Sequence, residues 1–187
     1  MADGLPFADE PILLETARVW LRLCAGRQMP HRNDFDPLLL PGEIWPYLLL
    51  AEPVDGSSAM RYRLVGSAHV NRYGYDFTGR TTAETAQGSY RQYLEEFYAL
   101  AMQGEPVYAE SMFRWDADGY AVARRVCVPL VCGEGGIQVL CAQTWISGVS
   151  WQERSVPHVV RSGGFANGGY EAIPRDRLAA LLTDQPL

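Results

Sequence analysis

The chain contains no lysine. All 16 of its basic residues are arginines, scattered along the sequence, against 22 acidic residues, for a formal net charge of −6. Gripping a phosphate backbone takes grouped Lys and Arg, so this balance argues against a nucleic-acid surface. Long apolar runs are also missing. Segments such as Tyr47 to Ala51 are far too short to span a bilayer. Ahead of Pro11 there is neither a basic n-region nor an apolar core, so no signal peptide and a cytoplasmic location are expected. Cysteine is scarce. Cys24, Cys127, Cys132 and Cys141 sit in apolar surroundings, and reduced thiols are expected. Cys127 and Cys132 do not make a C-x-x-C, and no second pair completes a zinc site. His31, His69 and His158 are not at metal-ligand spacing, so no metal site is expected. No P-loop, G-x-S-x-G elbow or H-E-x-x-H is present, and no catalytic residue is assigned.

What is there reads as one globular unit: 187 residues, 48% hydrophobic and 20% charged. Leu13, Ala17, Trp20, Leu21 and Cys24 recur at helical spacing after Pro11, which predicts an amphipathic helix ending near Gly26. Its apolar stripe must be buried on a sheet or on a second copy, and a homodimer through this helix is expected. Met29 to Glu43 is a proline-rich connector with Asx-type turns at Asn33 to Pro37. Tyr47 to Pro53 reads as a first strand. Arg61 to Val65, alternating charged and apolar, reads as a second. Ser67 is expected to cap a short helix that Gly74 ends. Tyr90, Tyr93, Leu94, Phe97, Leu100 and Ala101 predict a long amphipathic helix ending at Gly104. Pro106 to Trp115, Ala121 to Val131 and Ile137 to Ile146 read as three strands, joined by turns at Asp116 to Gly119 and Gly133 to Gly136. Their apolar residues fall at both parities, which implies a sheet covered on both faces. Residues 149 to 187 read as a C-terminal tail with a short helix after Pro174.

Three blocks in one order carry a family resemblance. They are Pro30-His31-Arg32-Asn33-Asp34-Phe35-Asp36-Pro37, then Tyr62 to Gly66 (Y-R-L-V-G), then Gly74-Tyr75-Asp76-Phe77-Thr78-Gly79, followed by a later strand at Val128-Pro129-Leu130. Over roughly residues 10 to 148 the chain resembles a bacterial single-domain PAS family. The resemblance implies an α+β fold: a PAS-like five-stranded antiparallel sheet with helices on one face, plus the N-terminal amphipathic helix. The implied division is 1–28 as that helix, 29–148 as the PAS-like domain and 149–187 as the tail. It also implies a non-catalytic sensory or binding module of bacterial signalling, passing its signal to a separate signalling protein. The histidine that holds haem on the long helix of some PAS domains is absent from Ser89 to Gln103, and so is the cysteine block of flavin photosensors. The cofactor, if any, is left unassigned.

A small-molecule site is expected between the sheet and the two helices. Its candidate lining is His69, Tyr73, Tyr93, Phe97, Tyr98, Met112 and Arg124. Aromatic walls with a few polar anchors make such pockets, and they also make ordinary cores. Arg124 shares strand parity with Val122, Val126, Val128 and Leu130. It is expected either to anchor a small carboxylate in the cavity or to be paired internally. Two alternatives remain: an interaction-only module with a filled core, or a small enzyme on a cone-like sheet using His69 or Glu95 as a base.

Overall fold

The computed structural model describes residues 4–114, 120–133, 135–147 and 164–183. The turn expected at Asp116 to Gly119, His158 and most of the glycine-rich stretch after Gly148 lie outside them. The architecture is α+β: an antiparallel six-stranded sheet with helices packed on both faces. In chain order come α1 (Pro11–Cys24), β1 (Leu48–Pro53), β2 (Met60–Val65), α2 (Ser67–Tyr73), α3 (Thr82–Thr85), α4 (Gly88–Ala101), β3 (Val107–Arg114), β4 (Tyr120–Cys132), β5 (Gly136–Ser147), β6 (Phe165–Ala172) and α5 (Arg175–Thr183). The strands lie in the order β2-β1-β5-β4-β3-β6.

The two parities of the central strands make two cores. Val126, Val128, Leu130, Leu140 and Ala142 face α1 and α5. Cys127, Val139, Cys141, Leu49 and Ala109 face α4, meeting Tyr93, Leu94, Phe97 and Tyr98. The stripe of α1 (Leu13, Ala17, Trp20, Cys24) is therefore buried within one chain. The uncovered stripe on which the homodimer expectation rested does not exist. Trp20 is fully buried and its indole N–H donates to the Pro129 carbonyl at 2.7 Å, locking α1 onto β4.

The expected five strands become six because Phe165–Ala172 pairs antiparallel with β3. Part of the segment expected as a tail is thus an edge strand, and the α5 helix that follows packs on α1. Gly168 stands where β6 closes on Glu110: a Cβ there would lie 2.9 Å from the Glu110 carbonyl oxygen, beside the irregularity at Ala109/Ser111. That is the use of glycine at a strand irregularity, and it is why the sequence reads as loop.

The glycine-punctuated unit after β2 uses its glycines differently from one another. Gly74 ends α2 in the left-handed region at φ 79°. Gly66, not Ser67, is the N-cap of α2, with an unstrained φ of −67°. What Gly66 cannot tolerate is a side chain, since a Cβ would run into the Pro46 carbonyl and come within 2.6 Å of the Trp45 carbonyl oxygen. Gly66→Ala should cost about 2 kcal/mol by overpacking against backbone. Gly74→Ala should cost about 1 kcal/mol through φ alone. Urea titrations of the two variants check this order, and the reverse order would mean that the chain relaxes freely around Gly66.

Candidate functional site

The candidate site lies between the sheet and the α2–α4 layer. Register builds its floor. On β4, Arg125 stands opposite Gln143 of β5 and Ala109 of β3, and the next inward pair is Cys127 with Cys141. Small residues at this parity (Ala121, Ala123, Cys127) leave depth under α4 for a guanidinium. Tyr62, His69, Tyr73, Phe77, Phe97 and Tyr98 close the space from above and the side. The cavity they enclose with Arg125 and Gln143 is about 40 Å³. That is room for about three waters, or an ion of a few heavy atoms, beside the side chains.

Arg125 is 1% exposed. Its guanidinium carbon lies 5.6 Å from the Tyr93 ring centroid and 5.4 Å from that of Phe97. One Nη donates to the Ser111 hydroxyl at 3.3 Å. The Nε–H is buried with no partner, and no carboxylate among the described residues is paired with it. Guanidinium stays charged at any pH a protein survives. Removing such an ion from water costs several kcal/mol. Cation–π contacts return about 0.5 to 2 kcal/mol each, and one neutral hydrogen bond about 1 kcal/mol. The positive charge is left under-compensated. Gln143, 3% exposed, adds a buried side-chain nitrogen that lies beside the Tyr73 hydroxyl but has no partner within hydrogen-bond geometry.

His69 is fully buried at the α2 end of the cavity. Its Nε2 lies 3.0 Å from the Tyr47 carbonyl oxygen, so Nε2 carries the hydrogen and donates it. Nδ1 is then a lone-pair acceptor, buried and unpartnered. The ring meets Trp145 edge-on, with centroids 4.9 Å apart. Burial pushes the imidazole down to about 4, the Tyr47 carbonyl opposing and the Arg125 charge adding to the effect. Burial likewise raises the Tyr73 and Tyr98 phenols well above their ordinary range. At neutral pH the cavity therefore holds neutral phenols, a neutral imidazole and one cation. Among the described residues no three His, Cys, Asp or Glu side chains cluster as a metal site.

Of the candidates named from sequence, the structure brings His69, Tyr73, Phe97 and Tyr98 together around this cavity. Tyr93 lies over Arg125 and otherwise faces an open groove beside Phe165. Met112 packs with Val122, Ile146 and Ala166 away from the cavity. Arg124 is on the opposite face of the sheet. Its guanidinium pairs there with Asp9 at 3.2 Å, Glu10 at 3.3 Å and Glu110 at 3.4 Å. The expected anchor is thus tied internally, and its neighbour Arg125 takes the place in the cavity. Alternation along β4 sends consecutive residues to opposite faces, and Val126, Val128 and Leu130 of the bulky parity pack under α1. The readable signal for Arg125 was its small-residue parity beneath an aromatic helix. Arg124→Ala should lower stability by about 2 kcal/mol, because it strands Glu10 and Glu110 on a half-buried face. Denaturant unfolding checks this, and an unchanged midpoint would show the cluster to be solvent-screened.

The acids of the sequence blocks do local structural work. Asp76 accepts from the Thr78 backbone N–H at 2.9 Å and from the Thr78 hydroxyl at 2.7 Å. Asp34 accepts from the His31 backbone N–H at 2.9 Å and pairs with Arg27 at 2.7 Å. Glu95, the other candidate base, is paired with Arg91 at 2.7 Å on the outer side of α4. All four cysteines are free thiols. No helix among the described residues is long and apolar enough to cross a membrane. Compared with known proteins, the chain matches no family model, no curated protein and no solved structure.

Proposed function

We propose that this chain is a PAS-like, non-catalytic sensory module that admits a small molecule between the sheet and the α2–α4 layer. One observation carries the reading: Arg125 and Gln143 present buried, unpartnered polar nitrogens at the floor of a cavity walled by aromatic side chains. A core filled only by its own side chains has no use for such groups, since each costs free energy while unpaired. The sequence blocks at Pro30 to Pro37, Tyr62 to Gly66 and Gly74 to Gly79, and the helices between β2 and β3 covering one sheet face, support the PAS-like part. The four free thiols suit a reducing, cytoplasmic setting. Signal output goes to a separate protein through a local change in α2 or α4, the elements that wall the cavity.

The small volume favours a second reading, an interaction-only module whose core is already packed. Native mass spectrometry of the gently purified chain, against its denatured mass, separates the two. A retained small mass that is lost on denaturation supports the sensory reading. A bare polypeptide mass, with no change in melting temperature across a library of small metabolites, supports the interaction module and overturns the sensory one.

A further inference from the structure

The polar groups of the cavity define the chemistry of what enters it. Arg125 and Gln143 are register partners on β4 and β5, so their side chains leave the sheet side by side on the helix-facing side. Each is more than nine-tenths buried, and each lines the cavity with a nitrogen lacking any hydrogen-bond partner, Nε in Arg125 and Nε2 in Gln143. Both nitrogens are donors, and one belongs to a permanent cation. The other walls are neutral: phenols, phenyl rings and an imidazole held uncharged by burial. No acid among the described residues lines the cavity. A planar guanidinium edge beside an amide N–H matches two oxygens of one planar anion.

We propose that the cavity is a receptor for a small monocarboxylate of formate or acetate size, held through its two oxygens by Arg125 Nε–H and the Gln143 amide. The inference rests on the sensory reading and names its ligand class. The size limit follows from the volume of about 40 Å³, roughly three times the ~10–15 Å³ of cavity that a single water needs. A larger acid would have to displace Phe97 or Tyr98, which are stacked on each other with centroids 4.3 Å apart. The anion supplies the counter-charge that Arg125 lacks. Because an acidic protein repels anions at long range, selection comes from this local geometry rather than from steering.

The test uses the full chain, stripped of small molecules by extensive dialysis. Thermal melts and isothermal titration are run with sodium formate, sodium acetate, sodium pivalate and sodium chloride at equal ionic strength. The expected result is a saturable rise in melting temperature with formate and acetate, and none with pivalate or chloride. Gln143→Leu, which keeps Arg125 in place, should weaken acetate binding at least tenfold. Arg125→Gln should abolish it. Arg124→Gln, which removes a charge from the other sheet face, should bind acetate like the parent. Equal shifts with chloride and acetate, or acetate binding by Gln143→Leu indistinguishable from the parent, would overturn the proposal even where Arg125→Gln fails to fold. A retained mass in native spectra without any carboxylate response overturns the carboxylate and leaves the sensory reading standing. A bare mass with no response overturns both.

Discussion

Trp20→Ala is expected to destabilise the protein by about 4 kcal/mol, the range for deleting a fully buried large aromatic side chain. Trp20 has no exposed surface, and its side chain ties α1 to the sheet through a hydrogen bond to the Pro129 carbonyl. Its loss empties a volume walled by sheet residues such as Val128 and Leu130, which belong to the same core. Partial collapse lowers the cost, and the stranded Pro129 carbonyl raises it. Trp20→Phe separates the two contributions. It keeps an aromatic ring but drops the N–H and part of the indole volume, so about 2 kcal/mol should be lost. Guanidinium unfolding followed by circular dichroism measures both. If Trp20→Ala unfolds at the parent midpoint, α1 is a detachable appendage, and the separate N-terminal helix suggested by the sequence is the better description of residues 1–28. The structure gives the opposite expectation, because α1 supplies one of the two cores.

The second large effect is a pH dependence centred on His69. Its folded-state pKa, pushed down to about 4 by burial, lies below the ordinary 6.5 of an unfolded chain. Above about pH 6.5 the ring is neutral in both states and contributes no slope. Between about 6.5 and 4 the unfolded chain takes up a proton that the folded protein refuses. Stability therefore falls as pH falls through this window, and the loss levels off below about 4. The full difference amounts to about 3 kcal/mol. Carboxylates such as Asp34, Asp76 and Glu84, whose pKa values are lowered by local hydrogen bonds, add their own acid losses. His69→Gln isolates the imidazole. Glutamine keeps an N–H for the Tyr47 carbonyl but does not titrate, so the carboxylate losses cancel between the two proteins. The parent should lose about 3 kcal/mol more than the variant between pH 7 and pH 4, measured by urea unfolding at each pH. Parallel curves would mean that the buried imidazole accepts its proton at no cost. Because α2 walls the cavity, the same neutrality keeps a second positive charge away from Arg125 at physiological pH.

Much of the scaffold was legible in the chain. The helical spacing of Leu13, Ala17, Trp20 and Cys24, and of Tyr90, Tyr93, Leu94 and Phe97, marks α1 and α4 within a residue or two. The apolar residues at both parities of β4 and β5 announce a sheet covered on both faces, because an exposed face has no use for them. Local chemistry also determined the turns: Asp34, Asp76 and Gly74 act on neighbours within a few residues, so their roles are written in the segment itself. The helical spacing also accounts for Tyr90 and Phe97 among the α4 members of the cavity's aromatic wall, whereas Tyr62 comes from β2, Tyr73 from α2 and Phe77 from the loop after it.

Three things were decided only in three dimensions. Alternation says that Arg124 and Arg125 point to opposite faces, but both parities of β4 are apolar, and the small residues beside Arg125 mark its face only once α4 is known to lie over it. That choice belongs to packing: bulky Val126 and Val128 fill the space under α1, and small Ala121, Ala123 and Cys127 leave depth for Arg125 under aromatic α4. The ion cluster of Arg124 with Asp9, Glu10 and Glu110 joins residues about a hundred positions apart or more in part, a separation no local pattern encodes. Finally, β6 is a strand only because β3 offers it an open edge. Its own Gly168 and Gly169 carry no strand preference, and the hydrogen-bonding partner supplies what propensity does not.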